Sequence, residues 1–167
     1  MNFYAFSGLL NGLAATVSGL IVYAQNPRNP KNQAYGVYCL AAATWGYGYW
    51  AWQISSSHDL ALFFVRFLMS GAIFLPVAYL WHVLTLLEQV QGKIWLIRLG
   101  WGAGIFFFCM NFSSYFVADV HPVQDFPFWP QPGPVFHVYL IGFTLYAIYG
   151  TWLLYQGART KTGTERS

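Results

Sequence analysis

Leu60–Leu87 reads LALFFVRFLMSGAIFLPVAYLWHVLTLL and decides the fold class of the chain. This stretch is long and apolar enough to cross a bilayer, because a transmembrane helix needs about 20 predominantly apolar residues. Three of its residues are unusual in such a helix: Arg66, Pro76 and His82. The stretch therefore predicts a membrane helix with features beyond simple anchoring.

The composition of the whole chain also indicates the membrane class. Hydrophobic residues make up 57% of the chain and charged residues 8%, whereas a soluble domain has about 25% charged residues. The net charge of +3 is small and the basic residues are scattered, so we predict no nucleic-acid partner. Cys39 and Cys109 both lie in apolar runs and predict core residues rather than a disulfide.

Five apolar runs separated by short polar breaks predict an all-α, polytopic bundle of five transmembrane helices. The predicted spans are residues 3–24, 34–55, 60–87, 94–117 and 135–156. Residues 1–158 form one transmembrane domain, and residues 159–167 form a cytoplasmic polar tail. The proline-rich loop of residues 118–134, which contains Trp129, predicts an ordered cap rather than a flexible tether.

Lys and Arg residues are distributed unequally between the two sides of this bundle. One side contains Arg28, Lys31, Lys93, Arg98 and the basic residues of the tail. The other side, with the N-terminus, the turn of residues 56–59 and the long loop, contains neither Lys nor Arg. The positive-inside rule therefore predicts an outer N-terminus and an inner C-terminus.

Two kinds of residue predict surfaces for helix packing or for a ligand. Gly8 and Gly12, and likewise Gly100 and Gly104, have the GxxxG spacing that lets membrane helices approach closely. The second span ends in the aromatic run TWGYGYWAWQ, which includes Trp45 and Trp50. An interfacial aromatic anchor is the favoured interpretation of this run, and the wall of an aromatic ligand pocket is the alternative.

Arg66 needs a partner, because a charged side chain in lipid is costly unless it is paired or reaches the surface. Asp59 lies seven residues earlier in the chain, and Asp119 and Asp125 lie in the outer loop. We expect Arg66 to pair with one of these carboxylates or with a backbone carbonyl at the outer surface. The alternative is that its side chain extends to the lipid head groups.

His82 lies in the inner half of the third span, beyond Pro76. The favoured interpretation is a hydrogen-bonded histidine between helices, and the alternative is an axial ligand of haem or chlorophyll. A bis-histidine haem is disfavoured, because His58, His121 and His137 all lie on the outer side. The outer histidines and aspartates match no metal motif, and no catalytic constellation is present, so we predict neither a metal site nor an enzyme.

Several segments together resemble a known family. They are the NPRNP loop, the helix CLAAATWGYGYWAW with Trp45, the third span with Arg66 and Pro76, and the PGPVF stretch of Pro132–Phe136. The chain resembles the N-terminal seven-helix membrane region of bacterial sensor histidine kinases. The resemblance implies a multi-pass protein of the bacterial inner membrane. That region continues into two more helices and an output domain, whereas this chain has five predicted helices and no kinase elements.

Two functions are consistent with these patterns. The favoured hypothesis is a non-catalytic accessory subunit of sensor-like ancestry, packed against helices of a larger respiratory or photosynthetic complex. The alternative is the membrane input module of a sensor kinase. We expect bound lipid and no required cofactor, with a chlorophyll-type or carotenoid pigment as a further occupant. The candidate ligand or partner contacts are Arg66, Pro76, His82, Trp45, Trp50, Trp129 and His137.

Overall fold

The computed structural model describes the backbone of residues 3–164 and the side chains of residues 3–159. Within this part of the chain, five helices and one hairpin follow one another: α1 (Phe3–Gln25), α2 (Pro30–Gln53), α3 (His58–Leu86), α4 (Val90–Asn111), β1 (Val117–Val123), β2 (Phe126–Pro132) and α5 (Pro134–Thr164). Four helices, α1, α3, α4 and α5, are long and apolar enough to cross a membrane. The fold is therefore all-α apart from one β-hairpin.

α3 is the centre of the bundle. It contacts α2, α4, α5 and both strands, whereas α1 packs mainly on α2. One core cluster joins α3 to the hairpin and to α5 through Val65, Phe116 and Tyr139. A second cluster joins α3 to α4 and α5 through Leu80, Ile97 and Leu153. Any displacement of α3 therefore affects every element that packs on it.

α1 and α2 are in backbone contact along a row of glycines. A Cβ atom placed on Gly46 would lie 2.6 Å from the backbone nitrogen of Gly12, and one on Gly8 would lie 2.9 Å from the nitrogen of Trp50. Only glycine permits such an approach, which maximises van der Waals contact between membrane helices. On α4, Gly100 lies against Val77 and Tyr146, and Gly104 lies against Phe74. These two glycines therefore accommodate side chains rather than a neighbouring backbone.

β1 and β2 form an antiparallel hairpin in which Val117 pairs with Pro132 and His121 pairs with Trp129. Its turn contains Gln124, whose φ of 51° lies in the left-handed region. Phe116 and Val120 are buried against the first turns of α3. The hairpin therefore covers one end of the bundle, which we call the hairpin end.

The opposite end of the bundle, which we call the tail end, contains the α1–α2 and α3–α4 loops. Lys31 Nζ of the first loop region lies 2.9 Å from Glu88 Oε1 of the second. Both side chains are substantially exposed, so this ion pair contributes about 1 kcal/mol or less. It nevertheless shows that the two loops lie side by side.

The helix boundaries differ most from the predicted spans at the ends of α4 and α5. α4 ends at Asn111, whereas the fourth predicted span continued to Val117. The physical reason is a turn after Asn111, in which Ser113 Oγ donates to Met110 O, and the chain then enters β1. α5 continues to Thr164, past the predicted end of the fifth span at Gln156. Of the predicted polar tail, residues 165–167 lie outside the described residues.

Candidate functional site

Arg66 is the centre of a polar cluster in the half of α3 nearest the hairpin end. Its Nη2 atom donates to Val117 O at 3.3 Å, and Asn111 Nδ2 donates to Arg66 O at 2.6 Å. Arg66 Nε and Asn111 Oδ1 are buried and have no hydrogen-bond partner within the part of the chain that the structure describes. Among the described residues, the ion pairs do not include Arg66. The guanidinium is therefore anchored at a backbone carbonyl and has no neutralising carboxylate beside it.

A cleft of about 460 Å³ opens beside Arg66, between α3 and α4. Asp59 and Ser70 supply its other polar groups. The rest of its lining is apolar and comes from Leu62, Phe63, Phe67, Phe108 and Phe112. A second groove of similar volume, about 500 Å³, lies between α1 and α2 and has no charged lining residue. The Arg66 cleft therefore differs from that groove by its two charged lining residues, the cation Arg66 and the carboxylate Asp59.

Pro76 lies in the middle of α3 and cannot donate to Ala72 O, the carbonyl four residues earlier. That carbonyl accepts a hydrogen bond from Tyr139 Oη of α5 at 2.8 Å. Tyr139 is 5% exposed, so water does not compete for this bond. The proline of one helix and the tyrosine of another therefore form a single structural unit, which we call the Pro76–Tyr139 joint.

α5 is held by two further tyrosine hydroxyls. Tyr146 Oη of α5 donates to Leu96 O of α4 at 2.8 Å. Tyr79 Oη of α3 lies 3.2 Å from Thr151 Oγ1 of α5. α5 is thus connected to its neighbours by side-chain hydrogen bonds at three levels.

Asp119 connects the hairpin to the start of α3. Its Oδ1 atom lies 2.7 Å from His58 Nε2, and its Oδ2 atom lies 3.7 Å from His121 Nε2. The backbone N–H of Val120, together with the neighbouring histidines, holds the pKa of Asp119 below its usual range. Asp119 is therefore ionised at neutral pH and faces two imidazoles.

The aromatic run of α2 continues into the hairpin. Trp52 Nε1 donates to Phe128 O at 2.7 Å, and the rings of Trp52 and Trp129 lie 5.8 Å apart. Trp45 packs on Tyr49, with ring centroids 5.6 Å apart. Trp50 points its Nε1 atom into a buried position without a hydrogen-bond partner. Part of the run is therefore an attachment point for the hairpin.

His82 lies among aromatic side chains of α2. Its ring centroid is 5.2 Å from that of Tyr35 and 6.5 Å from that of Tyr38. His82 Nδ1 is buried and has no hydrogen-bond partner among the described residues. His82 thus joins α3 to α2 by ring contacts, in the half of the bundle nearest the tail end.

The structure brings some predicted site residues together and separates others. Arg66 lines the same cleft as Asp59, but Asp59 forms its close contact with His58 instead. Asp125 lies at the exposed turn of the hairpin. His137 is exposed near the start of α5 and contacts the ring of Phe136. Among the described residues, no group of three or more His, Cys, Asp or Glu side chains could hold a metal ion.

Sequence reasoning missed three functional residues. Asn111 is completely buried against Arg66, Tyr139 completes the Pro76–Tyr139 joint, and Trp52 holds the hairpin. Pro76 predicts that a donor such as Tyr139 exists, because a proline within a membrane helix leaves one carbonyl without its normal donor and a neighbouring helix must supply another. The sequence contains no comparable signal for Asn111 or Trp52.

Comparison with known proteins identifies the type of membrane domain. A family model described as the N-terminal 7TM region of histidine kinase matches residues 9–167. The chain belongs to this family. The resemblance predicted from the sequence is thereby confirmed, and the chain is a multi-pass membrane protein of a sensor-region family. No curated protein and no solved structure matches the chain.

Membership of this family bears differently on the two hypotheses drawn from the sequence. It favours the membrane input module of a sensor kinase. It does not support the accessory subunit of a respiratory or photosynthetic complex, which was the favoured interpretation. The sequence patterns did not distinguish these two functions, because apolar helices with aromatic faces pack equally well on partner subunits and on other helices of a sensor.

Proposed function

We propose that the chain is the non-catalytic membrane input module of a sensor histidine kinase, in which α3 relays changes at the hairpin end to α5. The observation that carries this proposal is the bond from Tyr139 Oη to Ala72 O. This bond joins α5 to the one carbonyl of α3 that Pro76 deprives of its normal donor. A shift of α3 at this level therefore changes the position of α5.

The hairpin end is suited to receive the input, because the hairpin is attached to the helices by a few polar contacts. These contacts are Asp119 to His58, Val117 O to Arg66, and Phe128 O to Trp52. Two of them reach α3 directly. A ligand that moves the hairpin or replaces one of these contacts would therefore act on α3.

The distribution of charge supports an orientation for this module. Arg28, Lys31, Lys93 and Arg159 gather towards the tail end, whereas the hairpin end contains His58, Asp59, Asp119 and Asp125. By the positive-inside rule, the hairpin end faces outwards and the tail end faces the cytoplasm of a bacterial inner membrane. In this orientation all five helices, including α2, cross the membrane.

The functional test measures kinase output in native membranes. The protein is expressed with an affinity tag, the membranes receive labelled ATP, and phosphohistidine is read on this polypeptide and on any protein recovered with it. We expect a labelled histidine kinase, and we expect Tyr139→Phe to change the labelling rate while the control Tyr155→Phe leaves it unchanged. Tyr155 is exposed, and its hydroxyl is in none of the described hydrogen bonds. Absence of phosphohistidine from every recovered protein would contradict the proposal.

The orientation has its own test. Ser56→Cys places an accessible thiol in the α2–α3 loop at the hairpin end, and Gln91→Cys places one in the first turn of α4 at the tail end, in a background with Cys39→Ala and Cys109→Ala. A membrane-impermeant thiol reagent added to intact cells should label the variant at position 56 and spare the one at position 91. The reverse pattern would place the hairpin end inside the cell.

A further inference from the structure

We infer that the cleft beside Arg66 binds a long-chain carboxylate, with the carboxylate on the guanidinium and the hydrocarbon chain between α3 and α4. This inference names the ligand class of the input module and rests on the proposed function only for the consequence of binding. Three features carry it: an unneutralised cation, an apolar cleft beside that cation, and a rim that favours a single negative charge.

The first feature is the state of the guanidinium. Among the described residues its only hydrogen bond runs from Nη2 to Val117 O, and no carboxylate lies within ion-pairing distance. A guanidinium has five N–H donors and matches a carboxylate through two parallel hydrogen bonds. A cation in an apolar setting is costly until an anion neutralises it. Arg66 therefore has both the donors and the energetic reason to take an anionic ligand.

The second feature is the shape and chemistry of the cleft. Its volume of about 460 Å³ is within the range of small-molecule sites, about 300–1,000 Å³. Leu62 and Phe67 of α3 form one wall, and Phe108 of α4 forms the other together with Phe112, which follows the end of α4. Within a membrane these walls replace lipid chains as the surroundings of a hydrocarbon chain, so they accommodate it while the guanidinium supplies the preference for an acid. The cleft therefore fits a ligand with an apolar body and one charged end.

The third feature selects among anionic amphiphiles. Asp59 also lines the cleft, so a ligand's negative charge meets repulsion there, and a dianionic head group such as a phosphate monoester meets more of it than a monoanion. Arg66 lies eight residues after the start of α3, about 12 Å along the helix at 1.5 Å per residue. A phospholipid carries two chains and a bulky head group, whereas a single-chain acid places only one chain and one small anionic group in the cleft. These positions favour a monoanionic single-chain acid over a bilayer phospholipid.

Binding at this place would reach the hairpin directly. A carboxylate on Arg66 competes with Val117 O for the guanidinium, and Val117 is the first residue of β1. Arg66 O also accepts a hydrogen bond from Asn111 Nδ2, so a shift of Arg66 would affect the end of α4 as well. The cleft is thus connected to both elements that follow α3 at the hairpin end.

The test is a binding titration of the purified full chain in nanodiscs of zwitterionic lipid. The probes are palmitate, its methyl ester and phosphatidylglycerol, and the variants are Arg66→Gln and Arg98→Gln. Arg98 is the matched control, because it is an exposed arginine within α4. We expect Arg66→Gln to weaken palmitate binding about tenfold or more, since a charge-assisted bidentate contact is lost, and Arg98→Gln to leave it unchanged. The methyl ester should bind about tenfold more weakly than palmitate and should not respond to Arg66→Gln.

Three results would overturn the inference: equal affinity for acid and ester, unchanged palmitate binding in Arg66→Gln, or an Arg66-dependent preference for phosphatidylglycerol. If Arg66→Gln does not fold, the site is tested by cross-linking a photoreactive palmitate to the wild-type chain. Cross-links should map to residues 58–70 and 108–112, and cross-links confined to the α1–α2 groove would refute the site. The titration measures binding without any kinase activity. A negative titration would therefore contradict the ligand site alone, and absence of phosphohistidine would contradict the proposed function alone.

Discussion

The α1–α2 interface and the α3–α5 interface join helices by different physical means. In the first, glycines bring the two backbones together, and a Cβ on Gly46 would lie 2.6 Å from the nitrogen of Gly12. In the second, single hydroxyl groups reach across to backbone carbonyls, as Tyr139 does to Ala72. The first interface depends on close backbone fit along its length, whereas the second combines apolar side-chain packing with a few individual bonds.

This difference suggests which part of the molecule moves. Two backbones in close contact cannot slide past one another without steric clash, so α1 and α2 form a rigid pair. A hydroxyl that donates to a carbonyl can exchange its partner at a cost of about 1 kcal/mol. The α3–α5 interface is therefore the flexible one, and it is also the one that the proposed function uses.

The largest effect should come from filling the glycine row of the rigid pair. Gly46→Leu forces the backbones of α1 and α2 apart, and we expect it to lower the free energy of unfolding by about 3 kcal/mol or to prevent folding. Gly102→Leu is the control, because a Cβ at Gly102 meets nothing within 4 Å. Equilibrium unfolding in mixed micelles measures the free energy of unfolding of both variants. Equal stability of the two variants would show that α1 and α2 are not packed backbone to backbone.

The next effect concerns the flexible interface. Tyr139→Phe leaves Ala72 O buried without a donor, and we expect a loss of about 1–3 kcal/mol in the same unfolding assay. The control Tyr155→Phe removes a hydroxyl at an exposed position and should cost almost nothing. If the two substitutions had the same effect, the hydroxyl of Tyr139 would have no structural role.

A smaller and more local effect is expected where α2 holds the hairpin. Trp52→Phe removes the donor to Phe128 O and should increase amide hydrogen exchange in residues 117–132 by about tenfold, the equivalent of one lost hydrogen bond. Trp95→Phe is the control, since Trp95 is exposed on α4. Unchanged exchange in the hairpin would mean that other contacts hold it.

The smallest effect is a dependence on pH at the same place. The pKa of Asp119 is lower in the folded protein than its usual value, so its contribution to stability is present above the usual value and is lost as the pH falls through the lowered one. We therefore expect the amide protection factors of residues 117–123, which are corrected for the intrinsic effect of pH on exchange, to fall as the pH is lowered below about 4. Asp119→Asn should show the lower protection at neutral pH and lose this dependence. If amide protection depended on pH in the same way in the wild-type chain and in Asp119→Asn, Asp119 would not help to attach the hairpin.

The helices were largely predictable from the sequence, because long apolar runs and polar breaks follow from the thickness of the bilayer. α2 shows where such reasoning is weaker. Its Tyr, Trp and Gly residues contact α1 and α3. These residues make α2 less apolar than the other four described helices, each of which is apolar enough to cross a membrane. The hairpin was not predicted, since its strands contain prolines, which cannot donate to the ladder and usually indicate a loop.

The candidate site was only partly predictable. Arg66 and Pro76 are conspicuous in an apolar helix, so the sequence alone singles them out. Their partners are not conspicuous: Asn111 lies at a helix end and Tyr139 is one of twelve tyrosines. Which of many similar side chains meets a given carbonyl depends on helix rotation and crossing angle, and these arise from packing rather than from local sequence.

The most direct test of the Pro76–Tyr139 joint is a double-mutant cycle on the free energy of unfolding. Pro76→Ala restores a backbone N–H that can donate to Ala72 O, so the hydroxyl of Tyr139 should become dispensable. We predict that Tyr139→Phe costs about 1–2 kcal/mol less in the Pro76→Ala background than in the wild-type chain. Equal costs in the two backgrounds would show that the proline and the tyrosine act independently, and would contradict the joint between α3 and α5.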